Sequence, residues 1–271
     1  MSAPAENSAP VAVVTGAARG IGRGIALVLG EAGATVYVTD RESRGHRHSD
    51  LPGTVEDTAE QVTARGGRGI AVPLDHRDDA AVAALFDRVR AEHGGLDLLV
   101  ANACNGNALP FTPGVPFWEL PLDHWPNLME VGVRSHLVSA WHAAPLLVER
   151  RGLLVVTGYA DERSEVVGHV FFDLAMNGVT RLARTLAHDL RPHGVTVLGL
   201  APGFTATEAI VAALGANPPG ADSQEFPGRA LRALLEDPEV ARHSGRMLPV
   251  AEVAAEYGLT DVPATPAAGG A

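Results

Sequence analysis

Thr15-Gly16-Ala17-Ala18-Arg19-Gly20-Ile21-Gly22 is the stretch whose residue types and spacing point most directly to chemistry. A short apolar run ends at Thr15, and Ile21, Ile25, Val28 and Leu29 then recur at helical spacing. A glycine-rich turn between a strand and a helix lets backbone amides close on a pyrophosphate at the helix N-terminus. Gly16 would make the turn and Gly20 the close approach. Three glycines alone also fit an ordinary tight turn, so the weight rests on what else lies at the same edge. Asp40 closes the second β-branched run, Asp75 and His76 follow the third, and Asn102-Ala103 close the fourth. All fall at the carboxyl ends of strands, the edge where open α/β sheets bind nucleotides. Asp40 can accept hydrogen bonds from a ribose hydroxyl and repels a 2′-phosphate, so NAD is the expected cofactor. Arg19, Arg41 and Arg44 keep NADP possible.

Other reactive residue types lack such company. His46-Arg47-His48 with Asp50 has the composition of a metal site, but a His-x-His pair in a polar loop is ordinarily solvated, and no metal is expected. Asp161, Glu162 and Glu165 follow the fifth strand, where a carboxylate could act as a base, although surface solvation explains them as well. Cys104 is the only cysteine, which excludes an intramolecular disulfide and a multi-cysteine zinc site and fits a reducing cytoplasm. A formal charge of −11 with no basic cluster disfavours a nucleic-acid partner. No stretch reaches the roughly 18 apolar residues of a membrane helix, and the polar, Ala/Pro-rich start lacks the apolar core of a signal peptide.

The elements that must position these groups follow from periodicity. Strands are predicted at Val11–Thr15, Thr35–Asp40, 69–74, 96–101, Leu153–Thr157 and 195–200, with 247–250 as a last edge strand. The first strand–helix–strand unit closes within about 30 residues, so its strands are parallel. Asp78 is the expected cap of a helix whose Val82, Leu85, Phe86 and Val89 mark one buried face. Residues 122–149 are mostly helical in pattern despite Pro126 and Pro145, and a further helix covers 170–191. Near-continuous apolar strands imply burial on both faces. The expected fold is therefore α/β, a single Rossmann-type doubly wound domain over 11–262. A central parallel sheet of about seven strands would be flanked by helices, with a flexible N-terminus at 1–10 and a flexible tail at 263–271. The stretch after Pro202-Gly203, to Arg246, is looser.

In that setting Thr15 to Gly22 resembles the glycine motif of the short-chain dehydrogenases/reductases, and the resemblance covers nearly the whole chain. Leu99-Val100-Ala101-Asn102-Ala103 resembles the family's Asn-Asn-Ala-Gly strand end, from which Ala101 and Cys104 depart. Pro202-Gly203-Phe204-Thr205-Ala206-Thr207 resembles its Pro-Gly-xxx-Thr loop. Phe117-Trp118-Glu119, Val131-Gly132-Val133-Arg134, Gly245 to Pro249 and Tyr257-Gly258-Leu259 further resemble the subgroup typified by dehydrogenase/reductase family member one. The resemblance implies NAD(P) contacts at Gly16, Arg19, Gly20, Ile21, Gly22, Asp40, Asp75, His76, Asn102, Ala103, Pro202, Gly203, Thr205 and Thr207. It also implies a substrate lid within 204–246 and a homodimer or homotetramer formed through the helices after the fourth and fifth strands.

The same resemblance exposes a loss. The family's active site uses a Tyr, a Lys four residues later, a Ser about thirteen residues earlier and often an Asn. Counting back from His188-Asp189-Leu190-Arg191 puts Phe172 at the Tyr position and Met176 at the Lys position, with Gly158 or Tyr159 at the Ser and Gly132 at the Asn. The member-one subgroup shares that Gly. A phenyl ring has no proton to donate, and losing a general acid costs about two to four decades of rate. A thioether neither lowers a tyrosine's pKa nor bonds a ribose. Phe and Met nearly keep the volumes of Tyr and Lys, so the pocket is expected to stay packed and apolar. Without the family, a Phe and a Met four apart are simply helix core. Tyr159 is the best surrogate acid, with a packed aromatic as the plainer alternative, and only one of His169 and Asp173 can face the pocket.

The expectation is an NAD(P)-binding family member with a non-standard active site, repurposed as a small-molecule enzyme doing non-redox or atypical chemistry on a mainly apolar ligand. One alternative is an oxidoreductase using Tyr159; another is a non-catalytic sensor of dinucleotide or ligand. A cytoplasmic homo-oligomer without membrane or nucleic-acid partners is expected.

Overall fold

A computed structural model describes residues 9–105, 114–159 and 169–261. Seven strands, β1 (Val11–Thr15), β2 (Thr35–Asp40), β3 (Arg68–Pro73), β4 (Leu98–Ala101), β5 (Leu153–Thr157), β6 (Thr196–Ala201) and β7 (Met247–Pro249), form one sheet in the order β3-β2-β1-β4-β5-β6-β7. Every pairing is parallel. The chain runs outward from β1 to β3, returns beside β1 as β4, and then proceeds the other way. That reversal opens a crevice at the carboxyl ends of β1 and β4.

Helices cover both faces: α1 (Gly20–Glu31), α2 (Val55–Ala64), α3 (Asp79–His93), α4 (Ser135–Arg150), α5 (Val170–Leu190), α6 (Glu208–Leu214), α7 (Phe226–Glu236) and α8 (Val250–Tyr257). Strand residues alternate between two cores. Ala12 and Val14 pack with Ile25 and Leu29 of α1, Val62 of α2, Leu231 of α7 and Val253 of α8. Val11 and Val13 pack with Phe86 of α3, Leu147 of α4 and Ala183 of α5. Burying each large aliphatic side chain is worth roughly 1.5–3 kcal/mol, so a strand apolar on both faces is held from both sides.

Local signals act as expected where they are strong. The Asp78 carboxylate accepts from the Ala80 and Ala81 amides, and Thr54 accepts from the Asp57 amide to cap α2. Segment 122–149 departs from a simple helix: Pro126–Arg134 is a π-helical turn that passes directly into α4. Pro126 at its first position has no amide to leave unpaired, and such turns cluster near functional sites. The stretch that looks loose in sequence holds α6, α7 and a 3₁₀ turn at Val240–His243, and α7 buries Phe226, Ala230, Leu231 and Leu234. The terminal segments 1–8 and 262–271, and Asp161, Glu162 and Glu165, lie outside the described residues.

Candidate functional site

A cleft of about 440 Å³ opens where the topology reverses, lined by Gly16, Arg19, Gly20 and Ile21, by Asp40 to Glu42, by Asn102, Cys104 and Asn105, and by Thr207 and Glu208. Its floor is a clamp between three strand ends. The Thr15 hydroxyl accepts from the Asn102 amide at 2.8 Å and the Ala103 amide at 2.9 Å. The Asn102 side chain donates to the carbonyls of Thr15 at 3.0 Å and Gly16 at 3.1 Å, and accepts from the Thr157 hydroxyl at 3.0 Å. Asn102 thus ties β1, β4 and β5 together. Gly16 turns at φ +65°, and a Cβ there would lie 2.8 Å from the Ala103 Cα. A Cβ on Gly22 would lie 2.3 Å from the Gly16 carbonyl oxygen. α1 has neither a side-chain cap of its own nor an acid in its first turn, and its Gly20 amide donates instead to the distant Glu208 carboxylate at 2.8 Å.

The end of the cleft beside β2 carries the charges. Asp40 accepts from the Glu42 amide at 3.1 Å and the Ala18 amide at 3.4 Å, and burial raises its carboxyl above the usual range. Arg19 reaches Ser49 at 2.6 Å and pairs with Glu42 at 3.3 Å. Arg44 turns away to Asp57 and Glu60 on α2. Arg41 spans the cleft to Asn105 at 2.7 Å. The Arg77 guanidinium holds Asp75 down at about 2. His76 is buried, with its Nε2 2.8 Å from the Thr39 hydroxyl, and burial pushes it down to about 4. His136 behaves likewise, also pushed down to about 4 by burial, and its Nε2 lies 3.2 Å from the Ala103 carbonyl. A carbonyl only accepts, which assigns the His136 proton to Nε2.

The corner where β5 meets α5 differs in kind. Phe172 and Met176 belong to an apolar cluster with Leu120, Leu128, Phe171 and Ala175, and Met176 is only 9% exposed. Gly158 points its missing side chain inward: a Cβ there would lie 2.9 Å from the Met247 Cε and 3.1 Å from Val179. Tyr159, one residue on, is 41% exposed, and its carbonyl accepts from the Thr180 hydroxyl at 3.2 Å. Gly132 lies in the π-helical turn, where a Cβ would meet the Cys104 sulfur at 3.7 Å. His169 is buried as the N-cap of α5, its Nδ1 accepting from the Phe172 amide at 3.3 Å, with its ring 4.4 Å from that of His124. Asp173 instead accepts from Asn177 at 3.2 Å.

The structure thus gathers Gly16, Arg19, Gly20, Ile21, Asp40, Asn102 and Thr207 around one cleft, with Asp75, His76 and Ala103 in an adjoining pocket. Pro202 and Gly203 form the root of the segment leading to α6, where Thr205 donates to the Gly203 carbonyl at 3.0 Å. His46 and His48 stack edge to face at 4.5 Å, and among the described residues no group of three metal-ligating side chains exists. Sequence reasoning missed Cys104, Asn105, Glu42, Ser49 and Glu208 as lining residues. Glu42, Cys104 and Asn105 had a signal, their position just beyond the second and fourth strands.

A parallel α/β sheet with a glycine-lined cleft at its reversal point defines a Rossmann-type protein. The sequence pattern of the family described as short chain dehydrogenase matches residues 10–214. A mouse protein, dehydrogenase/reductase SDR family member 1, is 36% identical over 273 residues, 94% of this chain and 84% of its own length. The crystal structure of a short chain dehydrogenase from Mycobacterium thermoresistibile superposes with a TM-score of 0.82 at 26% identity, over 93% of this chain and 89% of its own. A metagenomic short-chain oxidoreductase solved with NADP gives a TM-score of 0.71 at 25% identity, over 89% and 96%. The chain belongs to the short-chain dehydrogenase/reductase family, whose members bind NAD(P). Among the described residues no helix is long and apolar enough to cross a membrane.

Proposed function

We propose that the protein binds a nicotinamide dinucleotide in this cleft but has exchanged the family's hydride chemistry for a non-redox or atypical reaction on a small, mainly apolar ligand. The observation that carries this reading is the contrast between the intact clamp at Thr15, Asn102 and Thr157 and the apolar cluster at Phe172 and Met176. The cradle fits the cofactor: Gly16 and Gly20 line the cleft at the leading end of α1, and the close backbone packing that shapes it leaves no room for a Cβ on Gly16 or Gly22. Gly16 and Gly20 would hold the diphosphate, with Gly22 packed behind them against the Gly16 carbonyl; Asp40 and Arg41 would face the adenosine ribose; Asp75, His76 and Ala103 would flank the adenine. A nicotinamide dinucleotide held there would supply or accept a hydride only under the atypical-redox form of this reading.

What this chain does not supply is a proton at the Phe172 position or a cation at the Met176 position. Tyr159 favours a second reading, an oxidoreductase with a surrogate acid, because it is exposed at the end of β5. Binding alone, as a sensor, is the third. Asp40 with Arg19 held by Glu42 and Arg44 held by α2 supports NAD over NADP, with Arg41 as the cation open to a 2′-phosphate. The apolar face of α4 and α5, with Leu137, Trp141, Pro145, Val148 and Leu186, supports a homodimer or homotetramer. The test is steady-state turnover of a broad carbonyl and alcohol panel, with calorimetry for NAD(H) and NADP(H). Cofactor binding with turnover far below one per second supports the proposal, whereas turnover near one per second with an ordinary carbonyl overturns it.

A further inference from the structure

The leading end of α1 is already occupied by an anion from this chain. The Gly20 amide donates to the Glu208 carboxylate at 2.8 Å across 188 positions of sequence. We infer that Glu208 is an internal competitor for the diphosphate seat, so that a dinucleotide binds by exchanging with this carboxylate and displacing α6. The inference rests on the cofactor reading above and concerns what sets affinity at that site.

Three observations converge. First, α1 has no local cap and no acid in its first turn, so Glu208 supplies the negative charge that this helix end attracts. An amide and a dipole that stabilise a carboxylate stabilise a phosphate in the same place, and the two cannot share it. Second, Glu208 opens α6, a seven-residue helix that buries none of its residues and is capped by a long Ile210 amide to Thr207 bond of 3.4 Å. The chain just before it is fixed: the Ala206 amide donates to the Asp222 carbonyl at 2.9 Å, and Gln224 donates to the Ala206 carbonyl at 3.1 Å. Movement can therefore begin at Thr207 without disturbing the sheet. Third, the displaced carboxylate has a destination. Arg23, one turn along α1, already lies 3.7 Å from Glu208 and borders the large cavity of about 960 Å³ on the far side of α6. Exchange then costs the Gly20 bond but strengthens the Arg23 pair, which keeps the competitor weak enough to be displaced.

The test compares wild type, Glu208→Ala, Glu208→Gln and Asp222→Asn by calorimetry with NAD(H), together with the NMR shift and exchange of the Gly20 amide. A bond to a charged acceptor predicts that Glu208→Ala binds NAD(H) about tenfold or more tightly than wild type. Glu208→Gln, which keeps an acceptor without the charge, gains less. Asp222→Asn removes an equal charge that does not touch Gly20 and should leave affinity nearly unchanged. The Gly20 amide should be protected in unliganded wild type, exposed in unliganded Glu208→Ala, and protected in both with NAD(H). Equal affinity in wild type and Glu208→Ala, or an equal gain in Asp222→Asn, overturns this inference while leaving the cofactor reading intact. No NAD(H) binding by any of the four overturns both.

Discussion

The turn from β1 into α1 and the corner from β5 into α5 lie on one sheet edge and are built differently. At the first, Thr15, Gly16, Asn102 and Ala103 exchange hydrogen bonds of 2.8 to 3.1 Å, and backbone approaches are too close for any side chain. At the second, Phe172 and Met176, which the reading proposed above aligns with the family's acid and cation, pack among apolar side chains. The cradle's demands are backbone demands, so losing them would cost the fold itself. The corner's demands, on the reading proposed above, are side-chain chemistry, which Phe and Met would remove while leaving volume and packing intact. On that reading, binding and reaction would be separable in this architecture because one would be written in glycines and the other in side chains.

The largest effect should come from breaking the cradle. Gly22→Ala puts a Cβ 2.3 Å from the Gly16 carbonyl oxygen and 2.5 Å from the Asn102 side-chain Nδ2, so both must move. We expect about 3 kcal/mol of destabilisation, seen in urea unfolding, and loss of NAD(H) binding. Tolerance of this change with unaltered affinity would erase the contrast between the two regions.

The next effect restores chemistry to the corner. Phe172→Tyr with Met176→Lys should raise single-turnover hydride transfer by about a hundredfold and tighten NAD(H) binding, with each single change doing less than the pair. The lysine should also draw the tyrosine below its reference pKa of about 10. Additive or absent effects would show that Phe172 and Met176 do not share a cofactor-facing site. The outcome also bears on Tyr159, since a side chain at that exposed position can stand where a substrate carbonyl would lie.

The smallest effect per group separates the two regions by pH. His76 and His136, behind the cradle, are pushed by burial to about 4, against about 6.5 in an unfolded chain. As pH falls below 6.5 the unfolded chain takes up these protons first, so stability is full above 6.5 and declines until about pH 4. The slope is about 1.4 kcal/mol per pH unit per histidine, or about 4 kcal/mol in total between pH 6.5 and 5. Urea unfolding at pH 7 and 5 measures it, and a flat profile would mean that these imidazoles take up protons in the folded state.

Much of the fold was legible because its signals are local and periodic. Apolar runs of strand length, Asp78 before a helical face and glycines after β1 each depend on neighbours within a turn or two. α7 was missed because Arg229, Arg232 and the Pro/Gly-rich approach to it dilute the pattern of Phe226, Ala230, Leu231 and Leu234. The strand ends nevertheless delivered Asp40 and Asn102 to one cleft, since a parallel sheet places all its carboxyl ends on one edge, and the loop after β6 brought Thr207 beside them.

The sequence by itself determined the parallel α/β architecture, the cradle and the absence of a proton donor at Phe172, because residue type and spacing suffice for each. Tertiary structure alone decided which way the chain turns its remaining chemistry. It aimed the Gly158 position into Met247 and left Tyr159 exposed, and it drove a Cβ on Gly24 to within 1.8 Å of the Gln224 carbonyl oxygen. It also brought Glu208 onto Gly20 from 188 positions away. Contacts of that kind depend on how separate helices pack across the sheet, and no periodicity within a single segment encodes them.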